Sequence, residues 1–451
     1  MKKKLGLVFV LFILMSFGSV SAYEAMVGAT GVLKYDKEKS YGGYTLFAPM
    51  VNCKTTYLID MEGNVVHKWE SEYGPGAYAM LLPNGNLLRG GQMNKRPATI
   101  GGASGIVQEI DWEGKVVWEY KMNNDNEIQH HCFARMPNGN TLILGWERIS
   151  IEEAIAKGRD PKTVPLEVYD MDKYHNDFWV DFVREVNKKG EMVWEYHVWD
   201  HVGTGPHQYD INYILPEKLG GTYDNFDWSH FNTVEYIPED DLVLLNSRNF
   251  SEFYLIDHKT GKMVYRWGNP SAYGQGDKPS WYNDGDQKVF GSHGVSYIGK
   301  DRFIIFDNGS ERAEGNRSSI VIMNRKTNEI EWQFFTTTPQ SFYSFRQGYV
   351  QMLDNGNVHV TSTNSGHLFE VTKDKKIVWD YVSPVFSGKT KCFAEDGWLP
   401  NMMENMIHRS YRYSANYPGL KKRDLSKKVP LTECPEFYKI YNTANVIRDN
   451  R

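Results

Sequence analysis

The chain has 451 residues and a formal charge of −5, with no basic stripe along it, which argues against nucleic acid as a partner. It holds 13 Trp, 28 Tyr, 22 Phe and 40 Gly and few long helical patterns, so one large all-β unit accounts for the length better than several helical domains. From the start, Met1 to Ala22 reads as an export leader. Lys2, Lys3 and Lys4 precede an apolar run from Leu5 to about Phe17, and Val20-Ser21-Ala22 is a small-residue cleavage site. That run is shorter than a bilayer requires, no Cys follows the site to take a lipid, and no later segment is apolar enough to span. The mature chain is therefore expected to be exported, periplasmic or secreted, with residues 23–43 as a short N-terminal segment.

From residue 44 onward a turn followed by an apolar strand with an aromatic at a fixed place recurs: GNVVHKW from Gly63, GKVVWEY from Gly114, GEMVWEY from Gly190, GKMVYRW from Gly261, NEIEWQF from Asn328 and KKIVWDY from Lys375. His67, Trp118, Trp194, Tyr265, Trp332 and Trp379 take the same place in each copy, so each reads as the outermost strand of a similar sheet. Three further short strands fit between copies. In the second unit they run Ala77 to Leu82, Asn86 to Gly90 and Gly105 to Ile110, ahead of Lys115 to Tyr120. Four strands in each of six units predict an all-β fold, a six-bladed β-propeller over residues 44–388. Residues 389–451 are left as a C-terminal appendage that packs on the ring or closes it, with a helix-like piece from Asn401 to Arg409. The first unit lacks an innermost strand before Tyr44, so closure must borrow one. Ile149 to Asn176 and Gly268 to Lys288 read as rim loops. Of the four Cys, Cys392 and Cys434 are the expected disulfide pair, and Cys53 and Cys132 are read as plain thiols.

Innermost strands line the channel of a propeller, and three of them open on His: HCFARMP at His131, HFNTVEY at His230 and HGVSYIG at His293. One His would mean little; three in register among 13 point to a site. Turns on the same face carry Arg248, Asn308, Arg312, Asn364 and His367, with Arg317 close behind. Such donors suit a small dense anion, because guanidinium forks onto two oxygens and imidazole acts at the reacting atom.

DWSHFNTVEY with LLNSRN, GSHGVSYIG with FDNGSER and NRSS, the LPNGN and MPNGN turns, and GHLFEVTKDKKIVWDYVSP resemble the bacterial arylsulfate sulfotransferases over about Tyr44 to Pro418. The resemblance implies an exported propeller that moves a sulfuryl group from an aryl sulfate to a phenol, with no nucleotide donor and no cofactor, through a sulfohistidine. It assigns His230, His293 and Arg312 to the sulfate oxygens and to proton handling, with Arg317 as the rival of Arg312. His367, downstream of that arginine, is the best match in order for the sulfated residue. His131, Arg248, Asn308 and Asn364 are expected to bind substrate. His408 to Tyr413 resembles a C-terminal family segment and is read as structural or as rim. Trp228, Tyr343 and Phe345 are candidates to hold flat rings.

The expected partners are small aryl sulfates and phenols, with no nucleic acid and no membrane span in the mature chain; a homodimer is left open. A ping-pong course follows from the covalent step. Two other readings stand beside this one. Three His at one mouth would suit a metal-dependent propeller hydrolase, against which the surrounding Arg counts; no metal site is assigned. The other is a non-catalytic ligand-binding propeller.

Overall fold

The computed structural model describes residues 30–50, 53–97, 100–164, 177–213, 227–385 and 405–431. The leader, the Cys392 and Cys434 pair and part of the Ile149 to Asn176 loop lie outside the described residues. Within them six small antiparallel sheets form a six-bladed β-propeller. The second blade runs Gly74–Leu81, Leu87–Gln92, Gly105–Ile110 and Val116–Lys121, from the channel outward. The third to sixth blades repeat it, with innermost strands Glu127–Arg135, Phe231–Ile237, His293–Tyr297 and Tyr349–Met352.

Local sequence explains the repeat. Between the first two strands of the second blade, the Leu82 N–H donates to Asn86 O at 2.8 Å and the Gly85 N–H to Leu82 O at 2.9 Å. Gly85 sits at φ 89°, a conformation that glycine adopts without a side-chain clash. The recurring aromatic of the outermost strand reaches the next blade. His67 stacks on Trp112 at 3.8 Å, Trp194 meets His258 at 4.8 Å, and the Tyr265 hydroxyl donates to Asn328 Oδ1 at 2.7 Å. Trp332 donates to Lys373 O at 2.9 Å and Trp379 to Met61 O at 2.9 Å, which carries the contact from the last blade back to the first. The period seen in the sequence is thus a series of inter-blade latches.

Both ends of the ring are completed out of chain order. Ile407–Tyr413 is the innermost strand of the first blade, pairing Tyr413 with Tyr44 and Ile407 with Pro49. The helix expected over Asn401 to Arg409 is not formed in its described part, which is strand from Ile407 onward. Apolar and aromatic side chains alternate there with polar ones, and pairing to the blade decides its state. Gly31–Tyr35 adds outside the last blade, against Ile377–Val382.

A buried carboxylate ties these pieces together. Glu370, on the last blade, accepts from Tyr41 N at 2.7 Å, Asn357 Nδ2 at 2.6 Å and Arg412 Nη1 at 3.0 Å. Arg412, in the borrowed strand, also donates from Nε to Thr45 Oγ1 at 2.8 Å and lies 4.4 Å from the Trp379 ring centre. Both side chains of the ion pair are fully buried. Burial pushes the Arg412 pKa down to about 10, still charged at neutral pH. Removing one member of a buried pair strands the other in a low dielectric, which costs about 3–5 kcal/mol. Glu370→Gln is therefore expected to lose about that much stability in urea unfolding, and a loss under about 1 kcal/mol would show that closure does not rest on this pair.

Candidate active site

The channel-facing histidines sit where the innermost strands break register. His131 and His230 have φ of 41° and 43°, left-handed values that β-strand residues avoid and that cost about 1–3 kcal/mol each. The pairing slips at these points, between Ile143 and Gly145, between Phe231 and Thr233, and between His293 and Ser296. Each slip turns an imidazole toward the channel instead of into the blade.

His230 is held through its Nδ1 by the buried Asp227 carboxylate. The turn after its partner strand fixes that segment: Arg248 N donates to His230 O at 3.0 Å, and Asn249 Nδ2 to Asp227 O at 2.6 Å. Below, Asn246 Nδ2 donates to Asn232 Oδ1 at 2.9 Å and to Ser292 O at 2.7 Å, locking the fourth and fifth blades together. His293 Nδ1 lies 2.8 Å from Asn308 Oδ1 and 2.9 Å from Gly291 O. Asn308 turns its amide nitrogen to Ser344 O and Gln347 O, each at 2.7 Å. Its Oδ1 must therefore accept, so His293 carries its proton on Nδ1 and keeps a lone pair on Nε2.

The structure brings His131, His230 and His293 together, and adds His408 from the borrowed strand. The His131 ring centre is 4.7 Å from that of His230 and 6.1 Å from that of His408. His293 faces them closely enough that a charge on it would repel one on His131 or His408. His408 is 1% exposed, and neither of its ring nitrogens has a hydrogen-bond partner among the described residues. Burial, then neighbouring charges, pushes His131 and His408 well below the usual imidazole range. Burial takes His293 down to about 3. These three imidazoles are neutral at neutral pH.

Arg409 lies beneath them. It crosses from the first blade to the third and fourth, donating from Nη2 to Asn232 O at 2.7 Å and from Nη1 toward Cys132 Sγ at 3.4 Å. The rings of Tyr78 and Tyr349 stand 4.6 and 5.1 Å from its guanidinium. Its Nε is buried without a partner. Glu235 feels its charge, yet burial pushes that carboxyl up to about 7. The floor of the mouth is thus a buried cation with no carboxylate bonded to it among the described residues.

The other candidates have partners of their own. Arg312 donates to Asp307 Oδ2 at 2.6 Å, Asp284 Oδ2 at 3.1 Å and Lys288 O at 3.1 Å, and packs on Phe290. Burial opposes its charge, but the two carboxylates outweigh that and raise its pKa. Its guanidinium clamps the Gly268 to Lys288 loop. Arg317 packs on the Phe335 ring at 4.2 Å. Asn364 Oδ1 accepts from Ser344 Oγ at 2.7 Å. His367 opens the third strand of the last blade, its Nε2 2.6 Å from Asp380 Oδ1. Arg248 is near enough to His293 to depress its protonation and is the rim guanidinium of the group. Trp228 is buried against Phe250, whereas Phe345 is 37% exposed. Among the described residues no three His, Cys, Asp or Glu side chains are placed to hold a metal ion.

The sequence matches the family described as Arylsulfotransferase (ASST) over residues 30–383. The chain belongs to the arylsulfotransferase family. Membership makes it an enzyme of aryl sulfotransfer, and the matched span takes in five blades whole and the first without its borrowed innermost strand. No curated protein matches the sequence. Solved structures similar to it include a protein of unknown function from Bacteroides caccae, with 11% identity, a TM-score of 0.48, and 82% of this chain and 98% of that one covered. Virginiamycin B lyase from Staphylococcus aureus has 11% identity, a TM-score of 0.37, and coverage of 80% and 90%. At that distance the likeness carries no argument about the site. Among the described residues no helix is long and apolar enough to cross a membrane.

Neutral buried imidazoles make stability depend on pH. Unfolded, each takes up a proton below about pH 6.5; folded, His293 resists to about 3. Stability is therefore full above the unfolded value and drains as pH falls through that window, by up to about 1.4 kcal/mol per pH unit for each such group. His293→Gln is expected to flatten the pH dependence of the urea midpoint below about pH 6.5. An unchanged slope would mean that His293 is already protonated in the fold.

Proposed function

We propose that the ring of imidazoles over Arg409 moves a sulfuryl group from an aryl sulfate to a phenol, with no nucleotide donor, through a sulfohistidine on His408. The observation that carries this reading is His408 itself, buried, neutral and unpartnered at both ring nitrogens. A buried polar group left unpaired costs free energy, and attack on sulfur requires a neutral imidazole whose lone pair is not engaged. Arg409 and Arg248 supply positive donors for the sulfuryl oxygens, and His230, held by Asp227, lines the same mouth. They are fixed before the substrate arrives, which is what stabilises charge developing in a transition state. His293 completes the wall.

His367, taken up by Asp380, is not the nucleophile in this reading, and Arg312 acts on the site by holding the loop beside Phe290. The substrates are small aryl sulfates and phenols, and residues 1–22 support export to the periplasm or beyond.

Exposure to 4-nitrophenyl sulfate alone is expected to add one sulfuryl mass to the intact protein, lost in His408→Asn and kept in His367→Ala. Retention of the adduct in His408→Asn would overturn the assignment. Arg248→Ala is expected to lower kcat about 100- to 1,000-fold, the usual cost of removing one fixed oxyanion donor, in an assay of 4-nitrophenol release that depends on added phenol.

A further inference from the structure

Asn308 is shared between the site and the rim. Its Oδ1 faces the Nδ1–H of His293 at 2.8 Å, and its Nδ2 donates to the carbonyls of Ser344 and Gln347, each at 2.7 Å. Those carbonyls bracket Phe345 and Arg346, so the amide that orients a channel imidazole also clasps the base of a turn. Further ties hold it. Ser344 Oγ lies 2.7 Å from Asn364 Oδ1 and 2.8 Å from Arg346 O, and Ser344 N donates to Ser318 Oγ at 2.9 Å. Ser310 Oγ donates to Phe345 O at 3.0 Å. Gln347 closes the turn at φ 61°, a left-handed value uncommon for a residue with a side chain.

The two bracketed side chains face water. Phe345 is 37% exposed, Arg346 is exposed, and its guanidinium stands 5.6 Å from the centre of the Phe345 ring. Among the described residues no carboxylate is bonded to Arg346. The neighbouring Arg317, beside Ser318, is less free, with its Nη2 3.8 Å from the Glu314 carboxylate. A solvated turn needs neither a ring nor a tether to the site. An aryl sulfate ester has the two parts that match: a flat ring, which stacks on a ring, and beside it an anion, which a guanidinium attracts. A phenol has the ring and, at neutral pH, no charge.

We propose that the Phe345–Arg346 turn is a docking site for the aryl sulfate donor, which lands there, ring against Phe345 and anion at Arg346, before its sulfuryl group enters the mouth. This rests on the reading that places sulfuryl transfer at that mouth. Arg346 acts on arrival and takes no part in bond making. Charge-guided arrival raises the second-order rate, and salt weakens it, because the reach of a charge shrinks from about 30 Å at 0.01 M to about 8 Å at 0.15 M. In a two-step transfer the kcat/KM of the donor reports the first half and that of the phenol the second, so the substrates are read separately.

The test is steady-state turnover of the full chain with 4-nitrophenyl sulfate and phenol at low and at physiological salt. Arg346→Gln is expected to lower the donor kcat/KM about 5-fold at about 0.01 M salt and less than about 2-fold at about 0.15 M, with kcat and the phenol kcat/KM unchanged. Arg346→Lys keeps the charge and is expected to keep the wild-type value and salt response within about 2-fold. Phe345→Ala removes the ring and is expected to lower the donor value about 5-fold at both salt concentrations. No loss at low salt in Arg346→Gln, a loss shared by phenol, or an unchanged donor value in Phe345→Ala overturns the docking turn. Should Arg248→Ala keep full turnover, the placement of the reaction at this mouth fails and the docking turn with it. Should Arg248→Ala lose turnover while Arg346→Gln keeps the wild-type salt response, only the docking turn fails.

Discussion

The Glu370 carboxylate gathers, at one buried point, the segment that precedes the first blade, the last blade and the strand that returns from beyond it. The part of the channel mouth that the returning strand supplies depends on that junction. His408 and Arg409 belong to the returning strand, and Arg409 meets Asn232 across 177 positions of sequence. An open ring would still hold His131, His230 and His293 in their blades, but the unpartnered imidazole and the buried cation would be elsewhere. Fold closure and assembly of the site are therefore one event.

The electrostatics of the mouth follow from burial. Imidazoles crowded together out of water stay neutral, since each charge would be desolvated and repelled by its neighbours. The positive charge is carried instead by guanidinium groups, which do not lose their protons. A carboxylate bonded to Arg409 would cancel the field that an anion needs. The structure places its carboxylates one layer back, with Asp227 behind His230 and Asp181 behind His130. Acids orient the bases while the floor keeps its charge.

Much of this was legible in the chain. The six latch aromatics gave the blade count, and HCFARMP, HFNTVEY and HGVSYIG gave three of the four channel imidazoles. His408 was hidden because its strand pairs with Tyr44–Pro49, from the opposite end of the sequence, and no local pattern marks such a loan. The IHRSYRY alternation of that strand, together with the missing first strand, was the available signal. Arg312 finds a partner close by in the chain: Asp307, only five residues earlier, takes its guanidinium. Position after a turn says which face a residue is near but not how far from the axis it stands, and the strand that His367 opens is the third of its blade.

Arg409 also has a bearing on stiffness. Flanked by Tyr78 and Tyr349 and anchored on the fourth blade, it acts as a crossbeam between opposite parts of the ring. Blades tied only to their neighbours can breathe apart, whereas a beam across the middle makes them shift as one body and keeps the spacing of whatever lines the opening.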